Sequence, residues 1–180
     1  MGTVPTITVN LPLVPLTTGD EVVRDRWVPH ITLIGNAEAT APDAAVPVVA
    51  AFAGRTSAIR AAVGAEAWFG PDGTVLVDEL DATALRPLHD ELLGELEAAV
   101  ADFRPLLPRH TRDGWRPHRT VVAGPRPVAG DVLEATTIGL FELDPPGRLG
   151  IAVALGVWPL AGVAGSGRRP GCRTSAPDRS

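Results

Sequence analysis

The stretches WVPHITLI (residues 27–34) and WRPHRTVV (residues 115–122) share the pattern W-x-P-H-x-T followed by two aliphatic residues. The whole chain contains only four His and four Trp, so the recurrence of both rare residue types in one register is difficult to attribute to chance. The first stretch lies in the N-terminal half of the chain and the second in the C-terminal half. Two similar segments from the two halves are therefore expected to meet around one site.

Each of the two stretches is expected to form a β-strand. The residue before a proline is pushed into the extended region of backbone conformation, so each segment is already extended when it reaches its histidine. Because side chains at positions i and i+2 of a strand share one face, His30 and Thr32 are predicted to project together. His118 and Thr120 are related in the same way. Arg119, between them, is expected to point to the opposite face.

Two imidazoles and two hydroxyls suit the hydrolysis of a phosphodiester bond. One His can remove a proton from water while the other protonates the leaving oxygen, and the Thr hydroxyls can donate to the phosphoryl oxygens. An unperturbed imidazole titrates near pH ~6.5, so one ring can be neutral while the other is protonated. The candidate catalytic residues are therefore His30, Thr32, His118 and Thr120, and either His can be the base.

At these residues the sequence resembles the 2H phosphoesterase superfamily, which includes 2′,3′-cyclic phosphodiesterases and bacterial proteins called 2′-5′ RNA ligases. The signature of that superfamily is a pair of H-x-[ST]-x motifs, represented in this chain by HITL (30–33) and HRTV (118–121). The similarity covers roughly residues 5–160. It implies an α+β, bilobal fold of two antiparallel sheets with pseudo-twofold symmetry and helices on the outside. It also implies hydrolysis that needs neither a metal ion nor another cofactor.

The remaining pattern favours an α+β protein of about seven strands and two helices in mixed order, and argues against a doubly wound parallel sheet. Strands are predicted at 5–11, 27–35, 55–63, 74–80, 117–123, 136–143 and 149–158. A first helix is predicted from a cap at Thr40 to Gly54. A second helix is predicted from Leu85 to Phe103, with Pro87 in its first turn.

Length, charge and composition favour a cytoplasmic monomer. The 180 residues suit one domain, assigned to residues 1–161, and residues 162–180 have the Gly, Ser, Pro and Arg content of a disordered tail. The net charge of −5 argues against tracking long duplex nucleic acid, which needs a broad basic face. The apolar runs are too short for a membrane span of ~20 residues, and the first residues do not resemble a signal peptide. The single Cys cannot form a disulfide framework.

Substrate-binding candidates come from an arginine-rich stretch and from two neighbouring aromatic residues. Arg116 and Arg126 belong to a cluster of arginines over residues 104–126, and a guanidinium group matches the geometry of phosphate oxygens. Some superfamily members stack bases on Tyr, which this chain lacks, so Trp68 or Phe69 is expected to take that role.

The other rare residues are interpreted as structural. Trp27 and Trp115 are expected to pack in the core. His89 is expected on the surface of the second helix, and His110 is expected to be a solvated loop residue. A metal site is a weak hypothesis, because the His pair of the motifs lacks nearby acidic or thiolate partners.

The predicted function is that of a metal-independent phosphodiesterase acting on a 2′,3′-cyclic phosphate, at an RNA end or in a small molecule. Related activities in the superfamily extend to 2′-5′ linkages and cyclic oligonucleotides. The acidic body of the protein favours a small nucleotide ligand over long RNA. The alternative is a non-catalytic module that binds a nucleotide or an RNA end in the same cleft.

Overall fold

The structure is a computed structural model that describes residues 4–70, 72–122 and 125–161. The predicted tail at 162–180 lies outside the described residues. The strands are β1 (Thr6–Pro12), β2 (Glu21–Val23), β3 (His30–Glu38), β4 (Ile59–Phe69), β5 (Val75–Leu80), β6 (Arg104–Pro105), β7 (His118–Thr120), β8 (Val132–Ala135), β9 (Thr137–Leu143) and β10 (Ile151–Pro159), and the helices are α1 (Ala45–Arg55) and α2 (Ala82–Ala99). Within these described ranges, neither helix combines the length and the apolar character needed to cross a membrane.

The strands form an antiparallel sheet whose two halves meet in the middle. The hydrogen-bonded order is β2-β10-β9-β1-β3-β7-β5-β4-β8, and β6 pairs with β3 beside this path. Every neighbouring pair along the path is antiparallel. The halves join where β3 pairs with β7, at Ile31 and Arg119. The predicted α+β class with antiparallel sheets is therefore confirmed, and the two sheets are joined edge to edge.

The two halves repeat the same arrangement of strands around that junction. β1 lies next to β3 in one half, and β5 lies next to β7 in the other. The Leu13 amide donates to the carbonyl of Pro29 (2.9 Å), and the Leu80 amide donates to the carbonyl of Pro117 (3.0 Å). Equivalent backbone contacts therefore hold the prolines of the two motifs, as pseudo-twofold symmetry requires.

The helices pack against the sheet and enclose the main hydrophobic core. α1 lies against β9 and β10, and α2 lies against β3 and β4. Leu85, Leu92 and Leu96 form the buried face of α2, at the three- and four-residue spacing of an amphipathic helix. Ile31 of β3 belongs to the same core. Because side chains alternate along a strand, its burial turns the neighbouring motif residues to the opposite face of the sheet.

The beginnings of both helices differ from the sequence prediction. α2 begins earlier, because Asp81 accepts a hydrogen bond from the Thr83 amide (2.9 Å) and caps the helix. Pro87 consequently lies in the second turn of α2 instead of the first. α1 begins after a short 3₁₀ turn and has no side-chain cap, so the predicted cap at Thr40 is wrong.

His89 is buried, and its predicted position on the surface of α2 is wrong. Its Nδ1–H donates to the carbonyl of Leu33 (2.7 Å), and its Nε2 accepts from the Arg112 amide (3.0 Å). The ring stacks on Trp115, which is buried as predicted, with 4.4 Å between the ring centroids. These partners belong to β3 and to the loop before β7, which the helical pattern of α2 does not reveal. Burial lowers the pKa of His89 and favours the neutral ring.

Candidate active site

The residues of the two motifs meet at the junction of β3 and β7. The antiparallel register of this junction places His30 across from Thr120. In the same register Thr32 lies across from His118. Side chains directly across an antiparallel pair have Cβ atoms about 4.5–5.5 Å apart. Each histidine is thus paired with the threonine of the other motif, and all four residues are half-buried.

A backbone carbonyl two residues earlier in the chain orients each imidazole. The Nδ1–H of His30 donates to the carbonyl of Val28, and that of His118 donates to the carbonyl of Arg116, both at 2.8 Å. A carbonyl can only accept, so the neutral ring carries its proton on Nδ1 and leaves Nε2 as a free acceptor. Because both motifs use the same contact, either ring presents an Nε2 that can take up or release a proton.

Burial lowers the pKa of both histidines below the usual value for His. Desolvation is the largest cause for each ring, and the hydrogen bond to the backbone carbonyl opposes it. A positive charge on His118 lowers the pKa of His30 further, because the two rings are close enough to interact. Arg116 also lowers the pKa of His118, and Glu79 raises it. Without a ligand, the site therefore favours two neutral imidazoles.

Two of the predicted substrate-binding residues lie beside His118. The ring centroids of Phe69 and His118 are 4.7 Å apart. The guanidinium of Arg116 lies over the ring of Phe69, 4.5 Å from the centroid of that ring. Glu79 lies across from His118 in the β5–β7 register and forms an ion pair with Arg116. Sequence reasoning missed Glu79, because the pairing of β5 with β7 cannot be read from either strand alone.

The residue that packs against the ring of His30 and the residue across from it in the sheet are both apolar. The ring centroids of Trp27 and His30 are 5.3 Å apart, and Trp27 also packs edge-on against Phe141 at 5.5 Å. Pro12 lies across from His30 in the β1–β3 register. Trp27 therefore has the packing role predicted for it and also forms part of the wall of the site.

The structure does not bring the other two predicted substrate-binding residues to the histidines. Arg126 forms ion pairs with Asp78 and Glu66. Asp78 is buried on the face of the sheet opposite to the histidines. Trp68 is 64% exposed and, as the neighbour of Phe69 in β4, points to the other face of that strand.

Two pockets open beside the motif residues, one at each end of the group. The first, which we call the arginine pocket, has a volume of about 620 Å³ and is lined by Arg24, Asp25, Arg26, Trp27, Pro29, His30, Thr120, Val121 and Val122. The second, which we call the leucine pocket, has a volume of about 450 Å³ and is lined by Thr32, Ile34, Gly35, Asn36, His89, Pro105, Leu106, Leu107, His110, Thr111 and His118. His110 is exposed, as predicted, and also borders the second pocket. Each pocket contains one motif histidine and the threonine of the other motif.

The junction offers two imidazole Nε2 atoms and two threonine hydroxyls for chemistry. A neutral imidazole accepts a proton and an imidazolium donates one, while hydroxyls can donate to an oxygen that gains negative charge. The arrangement can therefore move protons to and from one reacting group. Among the residues that the structure describes, no three His, Cys, Asp or Glu side chains are grouped to hold a metal ion.

Solved structures share this fold at low sequence identity. A crystal structure described as a phosphoesterase has 16% identity and a TM-score of 0.56, and the match covers 88% of this chain and 99% of that one. Escherichia coli LigT, complexed with NADP⁺ and with 3′-AMP, has 16% identity and a TM-score of 0.54, with 88% of this chain and at least 98% of LigT covered. The protein TT0787 of Thermus thermophilus has 16% identity and a TM-score of 0.52, with 86% and 97% covered. These similarities show the fold.

The family relationship comes from the sequence. No curated protein matches this chain significantly. The family model for the 2′-5′ RNA ligase superfamily, in contrast, matches residues 17–151, a range that is most of the chain and includes both W-x-P-H-x-T segments. The chain therefore belongs to the 2′-5′ RNA ligase superfamily of 2H phosphoesterases.

Proposed function

We propose that the protein is a phosphodiesterase that uses His30 and His118 as a general acid/base pair without a metal ion. The register of the β3–β7 pair carries this proposal, because it sets each histidine across from the threonine of the other motif. One neutral ring accepts a proton from the attacking water, and the other ring, protonated, donates to the leaving oxygen. Thr32 and Thr120 donate hydrogen bonds to the phosphoryl oxygens as negative charge develops there.

The bound phosphate favours the protonation state that this reaction requires. Burial lowers the pKa of both rings in the free protein, so both are predominantly neutral at neutral pH. A phosphodiester carries a negative charge, and a nearby negative charge raises the pKa of an imidazole. Substrate binding therefore favours protonation of one of the two rings, and that ring acts as the acid.

The proposed substrates are nucleotide phosphodiesters, namely a 2′,3′-cyclic phosphate, a 2′-5′ linkage or a cyclic oligonucleotide. Arg116 and Phe69 beside His118 support this proposal, since a guanidinium binds phosphate oxygens and an aromatic ring can stack on a base. Two structures of E. coli LigT, which has a similar fold, are complexes with the nucleotides NADP⁺ and 3′-AMP.

Turnover of a panel of phosphodiesters tests the proposal. The panel contains 2′,3′-cyclic nucleotides, 2′-5′-linked adenylates, cyclic dinucleotides and trinucleotides, and RNA with a cyclic phosphate end. We expect the wild-type protein to hydrolyse at least one class, with no change on addition of a chelator. The turnover of the variant His118→Ala is expected to be at least ~100-fold lower than that of the wild-type protein. Arg60→Ala, at an exposed position outside both pockets, is the control.

Two results would overturn parts of the proposal separately. Equal turnover by the wild-type protein and His118→Ala would exclude the acid/base assignment. Binding of nucleotides without cleavage of any member of the panel would indicate a non-catalytic nucleotide-binding module.

A further inference from the structure

Helix α2 contacts the segment that leads to the histidine of the second motif, residues 112–117, which we call the lead-in segment. The Arg112 amide donates a hydrogen bond to Nε2 of His89 (3.0 Å). Three residues earlier in the helix, the guanidinium of Arg86 donates to the carbonyl of Arg112 and to the carbonyl of Trp115 (3.0 Å). Two side chains of α2 thus hold three backbone groups of the lead-in segment.

The backbone of the lead-in segment has a conformation that requires such support. Arg112 has a φ of 50°, in the left-handed region that residues other than glycine seldom occupy. Gly114 lies so close to the carbonyl of Arg109 that a Cβ at position 114 would overlap the carbonyl oxygen. Unusual backbone conformations persist where the surrounding structure determines them, and they are frequent at functional sites. The hydrogen bonds from α2 to both the amide and the carbonyl of Arg112 stabilise this conformation.

The lead-in segment determines the orientation of His118. The carbonyl of Arg116 accepts the Nδ1–H of His118, and this contact fixes both the tautomer and the orientation of the imidazole. β7 is three residues long and joins β3 where Ile31 pairs with Arg119, so the junction between the two halves of the sheet is short. Contacts outside the sheet are therefore needed to hold the backbone just before β7.

Building on the proposed function, we infer that His89 and Arg86 are positioning residues that align the two motifs for the reaction. Both hold the lead-in segment, and through it the carbonyl that orients His118. His89 also donates from Nδ1 to the carbonyl of Leu33 (2.7 Å), the residue after Thr32, and so connects the second motif to the first. His89 is fully buried, so it acts on the reaction through these neighbours and not through the substrate.

Two substitutions of His89 separate its two hydrogen bonds. The side-chain amide of Asn lies where Nδ1 of a histidine lies, so His89→Asn keeps a donor for the Leu33 carbonyl and loses the acceptor for the Arg112 amide. The longer side chain of Gln reaches the position of Nε2, so His89→Gln keeps an acceptor for the Arg112 amide. The first variant therefore releases the lead-in segment from position 89, and the second retains it.

A substitution of Arg86 tests the same segment without changing the buried position. Arg86→Met removes the hydrogen bonds to the carbonyls of the lead-in segment. Arg55→Met is the matched control, because Arg55 also contacts α2, at Glu91 and Glu95, but belongs to α1. Far-UV circular dichroism verifies that each variant is folded.

The first readout is the tautomer of the neutral His118 ring, obtained by NMR from the chemical shifts of its two ring nitrogens. In the wild-type protein we expect the proton on Nδ1, as the hydrogen bond to the backbone carbonyl requires. In His89→Asn and Arg86→Met the tautomer with the proton on Nε2 is expected to gain population, because that carbonyl is no longer held in place. His89→Gln and Arg55→Met are expected to keep the wild-type tautomer.

The second readout is the division of the kinetic effect between kcat and KM on the best substrate of the panel. A misplaced acid/base group slows the chemical step, so kcat of His89→Asn and of Arg86→Met is expected to fall about tenfold or more. Since neither residue contacts the substrate in this account, KM is expected to stay within about threefold of wild type. His89→Gln is expected to recover kcat to within about threefold, and Arg55→Met to within about twofold.

The NMR measurement decides the inference separately from the proposed function. An unchanged His118 tautomer in folded His89→Asn and Arg86→Met would overturn the inference, and so would a changed tautomer with an unchanged kcat. If His89→Asn does not fold, Arg86→Met decides by the same criteria. If the wild-type protein hydrolyses no member of the panel, the proposed function is wrong, and the tautomer alone shows whether α2 positions His118.

Discussion

The two motif histidines share their backbone contacts and differ in their side-chain neighbours. Each Nδ1–H donates to the carbonyl of the residue before the motif proline. His118 has Glu79 and Arg116 beside it, whereas His30 has Trp27. Since a general acid and a general base require opposite protonation states, unlike neighbours around a common backbone contact suit two groups with different roles.

The pH dependence of turnover is expected to follow the lowered pKa values of these two rings. The productive free enzyme has one ring neutral and one protonated, and this form is most populated midway between the two pKa values. Burial places both values below 6.5, so kcat/KM is expected to have a bell-shaped profile with its maximum below that pH. A bound phosphate raises the pKa of a ring, so the maximum of kcat lies at higher pH. Measured kcat/KM with a maximum above neutral pH would contradict this prediction.

The buried His89 is expected to be important for stability. The variant His89→Ala removes a stacked ring and leaves the Leu33 carbonyl and the Arg112 amide without their partner. We expect the free energy of unfolding to fall by about 2–4 kcal/mol, as measured by urea denaturation. His110→Ala, at an exposed position, is the matched control and is expected to change stability by less than about 0.5 kcal/mol. Similar losses in both variants would contradict the buried position of His89.

At the scale of strands, the β3–β7 junction is supported from its buried side by an ion pair. Asp78 of β5 lies across from Arg119 of β7, with 3.2 Å between the carboxylate and the guanidinium and 4% exposure for both side chains. Arg126 contacts the same carboxylate at 2.6 Å. Because Arg119 stands between His118 and Thr120, this ion pair holds the short strand that carries the second motif.

Removal of the carboxylate of Asp78 is expected to be strongly destabilising. In Asp78→Ala the guanidinium of Arg119 stays buried without its partner, which costs about 3–5 kcal/mol of unfolding free energy. Asp25→Ala is the matched control, because Asp25 is 81% exposed and lies 3.9 Å from Arg26. This exposed pair is expected to contribute less than about 1 kcal/mol. Equal midpoints of urea denaturation for the two variants would show that the buried pair does not support the junction.

The sequence predicts best the elements that have a repeating pattern or a rare motif, such as α2 and the strands with the W-x-P-H-x-T segments. It misses the short strands β2, β6 and β8, because two to four residues carry too little periodicity. β4 continues to Phe69 instead of ending near residue 63, since its pairing with Val75 of β5 sets its length. The positions of Glu79 and His89 likewise depend on register and packing between segments that are distant in the chain.

The whole molecule is a pseudo-symmetric frame with unlike pockets. The repeat persists in the motifs and in the hydrogen bonds of the motif prolines, whereas the two pockets have different lining residues. If the two histidines transfer protons as proposed, their place between different pockets suits a substrate whose two ends differ. The net charge of −5 also favours a short nucleotide ligand over a long duplex.

The most direct test of the proposed chemistry is the turnover number of His30→Ala, His118→Ala and the double variant on the best substrate of the panel. We expect the turnover number of each single variant to fall at least ~100-fold. The turnover number of the double variant is expected to be only slightly lower than that of the less active single variant, because both rings act in one step. Far-UV circular dichroism of each variant verifies that it is folded. Turnover within a few-fold of wild type in either folded single variant would contradict the convergence of the two histidines on one phosphate.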